Sequence, residues 1–269
     1  MGVAVENYFY RMQELNVEDI TFIEKTFLDS FPEHLREMNR FWISLFDQLF
    51  QVRRTLEEKG QLDEHWENIL DTAINNAEEE LHAKVEADSI MLLDAIRNED
   101  IALFNSDADY VDFSLFLSMQ YFRTQKIKHD VLSGLSEKLP TINLEAVWGV
   151  LKHIFATNLS YELFVHKDTM RPILLRNQNA TELITGDQPV INTFASGTPT
   201  KQLVDKLELY YPVSPTLAVL ITSQPEFDGR TIVSLSETDV AKYNNHIIQN
   251  SHEQLYAFSE QALKEIQTR

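Results

Sequence analysis

Glu79 and His82 stand three residues apart in the run EEELH (78–82), the spacing at which a helix offers a carboxylate and an imidazole to a di-iron or di-manganese centre. Such a centre needs the pair twice and two further glutamates. The chain supplies one copy, so these residues are read as a solvated helix face. Cysteine is absent, which removes thiolate zinc sites, disulfides and Cys nucleophiles together. His246 and His252 are six apart and would point to different faces of a helix. The sequence holds no Gly-rich phosphate loop, no G-x-S-x-G elbow and no H-E-x-x-H pair. It therefore predicts no metal and no cofactor.

Asp187, Gln120 and Arg123 are the other residues with chemical promise. Asp187 lies in the polar knot Thr185-Gly186-Asp187-Gln188-Pro189, between apolar residues. An Asp two before Pro suits an Asx-turn, its carboxylate accepting backbone N–H bonds. Gly186 permits a positive φ, and Pro189 confines Gln188 to extended geometry. Gln120 and Arg123 are i, i+3 on a helix and share its face with Phe116 and, more loosely, Phe113. An Arg on the rim of an aromatic face must reach water, or meet a carboxylate or an anionic ligand. Two arrangements follow. Arg123 and Asp187 form a buried pair tying the turn to the helical part, or Gln120, Arg123 and Asp187 line a ligand site.

The elements that must position these residues change character along the chain. Asn16 caps a first helix through Ile20, Ile23 and Phe27. Pro32 opens a second helix and Gly60 stops it. Asp63 starts a third, with Trp66, Leu70, Ala73, Ala77 and Leu81 on one stripe, continuing towards Ile96. A fourth is expected over 113–131 and a fifth over 144–166. After Lys167, short apolar runs alternate with Asn-rich or Gly/Pro breaks, which predicts a hairpin in 171–194 and further strands in 207–223 and 229–235. Ser236 or Thr238 begins a closing helix. The expected class is α+β: an N-terminal bundle of long helices, a small mainly antiparallel sheet, and C-terminal helices. The expected division is a helical part, 1–166, and a part with sheet and closing helices, 167–269, packed as one unit.

With 43% hydrophobic residues over 269 positions, the chain is globular. Its 42 acids against 23 bases, a formal charge of −19, disfavour nucleic acid as a partner, because phosphate backbones are held by Lys and Arg. RTQKIKH (123–129) is the nearest approach to a basic cluster, and reads as a helix end as readily as a phosphate grip. No stretch reaches the length and apolarity of a membrane span, and no secretory signal is visible. The expected location is cytoplasmic.

Three stretches together resemble a known family. DFSLFLSMQYFRT (112–124) is similar to its Phe-x3-Gln-x2-Arg-Thr helix, here Phe116, Gln120, Arg123 and Thr124. ITGDQPV (184–190) is similar to its Thr-Ser-Asp-Asn-Pro-Val turn. LELYYPVSPTLAVLIT (207–222) with the Asn-rich 233–257 is similar to its Pro-Leu-Ser-Pro strand and final helix. The family is catalogued as domain of unknown function 4238 and is widespread in bacteria. Two departures stand out. The family's opening His-Tyr-Val-Pro-x-Phe segment has no counterpart here, which implies either a truncated or divergent member or a segment supplied elsewhere, and Gly186 and Gln188 replace the usual Ser and Asn. The resemblance implies no reaction. The favoured functional reading is a binding or regulatory module for a protein partner or small anionic ligand, with stress or phage defence as a setting. The alternative is a hydrolase or nucleotide-processing enzyme built on Gln120, Arg123 and Asp187.

Overall fold

Helices begin where a side chain can satisfy the free amides of a first turn, and the first helix shows this plainly. The computed structural model of the protein describes residues 11–133, 135, 139, 141–195 and 206–267. In α1 (Val17–Ile23), Asn16 and Asp19 make a reciprocal capping box, Asn16 accepting from the Asp19 amide at 2.8 Å and Asp19 from the Asn16 amide at 3.1 Å. Asp19 is fully buried, and its second oxygen accepts from the Asn143 amide at 2.8 Å. One carboxylate thus fastens α1 to the start of the helix that runs through 144–165. Contacts divide the chain into two compact units, Met1–Ala87 with Leu135–Asn158, and Asp88–Gly134 with Leu159–Arg269.

The first unit is helical. Pro32 precedes α2 (Glu33–Glu58), and Gly60 at φ +60 follows it, as the punctuation implies. The buried face of α2 repeats at helical spacing through Leu35, Asn39, Ile43, Phe46 and Phe50. Asp63 caps α3 (Glu64–Arg97) by accepting from the Trp66 amide at 2.9 Å. The buried stripe of α3 is one position away from the expected one. It runs Leu70, Ile74, Glu78, His82, Ser89, Leu92 and Ile96, while Trp66 is 43% exposed and Glu79 is exposed. A stripe chosen for hydrophobicity alone avoids positions 78 and 82, and the helix buries them nonetheless.

The second unit holds α4 (Asp107–Phe122) and α5 (Gln125–Ser133). These are two helices where one was expected over 113–131. α6 (Leu144–Val165) follows, its N-terminal part in the first unit. The main sheet has five strands: β1 (Arg171–Arg176), β3 (Ile191–Asn192), β4 (Leu209–Ser214), β5 (Leu217–Thr222) and β6 (Ile232–Ser234), in the order β3-β4-β5-β1-β6. β2 (Thr185–Gly186) pairs instead with β7 (Leu255–Tyr256). The hairpin expected in 171–194 is therefore not formed. β1 lies between β5, antiparallel, and β6, parallel. Its consecutive Ile173, Leu174 and Leu175 are all fully buried, the signature of an interior strand covered on both faces. The remaining pairings are antiparallel, and α7 (Glu237–Asn250) packs on the sheet with Val240, Tyr243 and Ile247 buried. Tyr210 and Tyr243 stack at 4.6 Å. α8 (Glu260–Gln267) closes the chain. The architecture is α+β, with the helices first and a mainly antiparallel sheet after. None of the helices described is long and apolar enough to cross a membrane.

Candidate functional site

The knot 185–189 is densely bonded. Asp187 accepts backbone N–H bonds from His252 at 2.8 Å, Glu253 at 2.7 Å and Gln254 at 3.1 Å, and its own amide donates to the Gln254 carbonyl. The carboxylate thus binds the loop after α7. Gln188, 1% exposed, donates to the Tyr121 carbonyl at 3.2 Å and the Val190 carbonyl at 2.6 Å, and accepts from the Thr124 hydroxyl. The turn is tied to the end of α4 through Gln188, Thr124 and the Tyr121 carbonyl.

This tie also explains the break between α4 and α5. The Tyr121 carbonyl receives the Gln188 amide where a continuous helix would bring the amide of residue 125. Gly186 has no positive φ. A Cβ there would stand 2.0 Å from Ser251 Oγ and 3.0 Å from the Gln254 carbonyl oxygen, so glycine serves close approach and not turn geometry. Gln120 is buried on α4, and Arg123, half-buried, is the C-terminal cap residue of that helix, its amide donating to the Met119 carbonyl. Near this end, burial, reinforced by the Asp130 charge, raises the Tyr121 hydroxyl to about 12. The His129 and His252 rings face each other at 6.4 Å.

Two concavities open elsewhere in the second unit. The larger, about 620 Å³, is lined by Arg97, Glu99, Arg176, Ser214 and Thr216, among others. Its charges are internally matched: Arg176 grips Glu99 through Nε (2.6 Å) and Nη2, and Arg97 pairs with Asp94 at 2.9 Å. Among the described residues Glu99 is the one non-glycine with positive φ, +57. Its position follows from the end of α3, where the Asp100 amide reaches back to the Ala95 carbonyl and the residue between must turn left-handed. The hydrogen bond from the Arg176 guanidinium holds the Glu99 carboxyl below its ordinary value.

The smaller cleft, about 410 Å³, is different in charge. Lys167, Arg171 and Arg230 line it against the single carboxylate of Asp168, over an apolar floor of Ile101, Phe104 and Pro172. Lys167 pairs with Asp107 and lies 5.1 Å from the centre of the Phe164 ring, and Arg171 pairs with Asp228 through Nη2. Arg171 Nε is buried and has no hydrogen-bond partner, and among the described residues Arg230 has no carboxylate partner. Tyr110 lines the wall, its hydroxyl donating to the Met170 carbonyl at 3.2 Å or the Leu163 carbonyl at 3.3 Å. Sequence reasoning missed this cleft because its cations come from two segments far apart in the chain, 167–171 and the turn at Arg230, each with an unremarkable local pattern.

In the first unit, one group of described residues could hold a metal ion: Glu78, His82 and His153, all buried, with ligand atoms within 4.8 Å of one another. Sequence reasoning singled out His82 but paired it with Glu79. The carboxylate that faces it is Glu78, one turn back at i, i+4, with 3.4 Å between Glu78 Oε1 and His82 Nε2. Lys152, also buried, donates to the same Glu78 oxygen. The signal that was available is the i+4 ladder Leu70-Ile74-Glu78-His82.

Comparison with known proteins returns one assignment. A family model described as a protein of unknown function, DUF4238, matches residues 2–261, nearly the whole chain. Neither the curated proteins nor the solved structures contain a match.

Proposed function

Since this chain belongs to the DUF4238 family, whose function is unknown, its role must be read from its own side chains, and we propose that it is a binding or regulatory module whose second unit takes a small anion carrying an apolar body. The observation that supports this is the cleft of Lys167, Arg171 and Arg230. In a chain with nearly two acids for every base, three cations converge there above an apolar floor. Arg171 Nε and the Arg230 guanidinium, which has no carboxylate partner among the described residues, supply donors for a phosphate or carboxylate, and Phe104 and Pro172 supply contact area for an attached ring or chain. The knot enters this reading as a fastener. The alternative, a hydrolase using Gln120, Arg123 and Asp187, would need Asp187 as acid or base, and three backbone amides already hold that carboxylate.

The test is a thermal-shift and calorimetric panel of inorganic phosphate, mononucleotides, and aryl phosphates and carboxylates. A ligand at 100 times its dissociation constant stabilises by about 2.7 kcal/mol. Binding should weaken with added salt, and Arg230→Ala with Lys167→Ala should reduce affinity at least tenfold. The unliganded double variant should melt within a few degrees of the wild type, because exposed ion pairs contribute about 0–1 kcal/mol. No shift with any anion at millimolar concentration, or full affinity in the double variant, would remove the cleft as the site.

A further inference from the structure

We propose that Glu78, His82 and His153 form a binding site in the first unit for a divalent first-row transition-metal ion, in a two-histidine, one-carboxylate set. The donors come from two helices: α3 supplies Glu78 and His82 one turn apart, and α6 supplies His153. One carboxylate and two imidazoles suit zinc and ferrous iron, whereas magnesium and calcium prefer oxygen alone. Donors bound to one zinc at 2.0–2.1 Å stand roughly 3.4 Å apart in a tetrahedron. The Glu78 and His82 donors are already at that separation, 3.4 Å, and the group as a whole lies within 4.8 Å. Binding requires His153 to close by a side-chain adjustment, not a rearrangement of helices.

The independent observation is His153 itself. It is fully buried, and among the described residues neither Nδ1 nor Nε2 has a hydrogen-bond partner. A buried imidazole without a partner is costly, and native interiors avoid it. The ring is walled by Trp42, stacked at 4.9 Å, and Phe46 at 5.0 Å, with His82 at 5.6 Å. The Trp42 indole N–H is no donor to it, being committed to the Thr157 hydroxyl at 2.8 Å. A purely structural Lys152–Glu78 pair leaves both His153 nitrogens without a partner, whereas a metal held by Glu78, His82 and His153 would engage one of them.

Lys152 is the built-in competitor, because its ammonium occupies the Glu78 oxygen that also faces His82. Lys152→Met should therefore tighten metal binding.

The experiment uses the full chain, dialysed against chelator and titrated with cobalt(II) and zinc(II). The expected result is saturation at one equivalent, with visible cobalt bands of a low-coordinate site, displaced by zinc. X-ray absorption of the wild-type zinc complex should show imidazole scattering. His153→Phe should lose these bands and weaken binding at least tenfold, while keeping the helical circular dichroism. Should His153→Phe fail to fold, Glu78→Gln serves for the same readout, and the wild-type absorption data stand without any variant. A wild-type chain that takes up no stoichiometric cobalt or zinc overturns the proposal. So does a zinc complex without imidazole scattering, or a folded variant with unchanged bands.

Discussion

Gln188 and His153 are about equally hidden from solvent, 1% and 0% exposed, and their surroundings follow different rules. Gln188 has its oxygen and its amide nitrogen engaged, and Asp187 beside it is held by three amides. His153 has two nitrogens and, among the described residues, no partner for either. A buried polar group whose bonds are all made within the chain fixes geometry and asks for nothing more. One whose bonds are unmade identifies where a ligand would be stabilising. The two residues most suggestive in sequence, Asp187 and Arg123, belong to the satisfied region. The unsatisfied one drew attention only through His82, beside the wrong glutamate.

The comparison breaks most readily at Lys152. In metal-free protein, Lys152→Met leaves the Glu78 charge buried without its partner and should cost about 3–5 kcal/mol, read from denaturant midpoints. Adding Glu78→Gln to it should recover part of that loss. A single variant as stable as the wild type would mean that the pair is open to water.

The satisfied knot should respond next. Gln188→Ala removes two donated bonds and one accepted bond from a buried position and should cost about 2–4 kcal/mol. Asp187→Asn keeps the shape, removes the charge and should cost about 1–3 kcal/mol. Hydrogen exchange should then rise at the amides of 252–254. Loss of ligand binding with undiminished stability in Asp187→Asn would return the knot to the list of sites.

The smallest effect is expected at the α7 cap. Ser236 accepts from the Asp239 amide, and Asp239 accepts from the Ser236 hydroxyl and amide. The hydroxyl bond first, then the amide, hold the Asp239 carboxyl below its ordinary value of 3.8. A depressed carboxylate stabilises the fold above its ordinary value, and that contribution is lost as pH falls through the lowered one. Ser236→Ala should cost about 1 kcal/mol at neutral pH and return the Asp239 titration, followed by NMR, towards 3.8. An Asp239 titration unchanged in the variant would show that the cap is not what holds it down.

Local chemistry sufficed to place most elements from the chain alone. Asn16, Pro32, Gly60, Asp63 and Ser236 stop or start helices through bonds and dihedrals within a few residues of themselves. The β4–β5 hairpin likewise follows from the break at Pro215. What the sequence could not settle depended on distant partners. The helix expected over 113–131 divides because Gln188, some 67 positions along the chain from Tyr121, takes a carbonyl that helical periodicity assigns to its own turn. β1 leaves its expected hairpin because three consecutive apolar residues need cover on both faces, which β5 and β6 together provide. Gly186 is glycine because Ser251 crosses it, a contact invisible to turn rules. The stripe of α3 was legible as an i+4 ladder from Leu70. That Glu78 and His82 would continue it inwards was decided by tertiary structure, where Lys152, brought over on α6, donates to the buried Glu78 carboxylate.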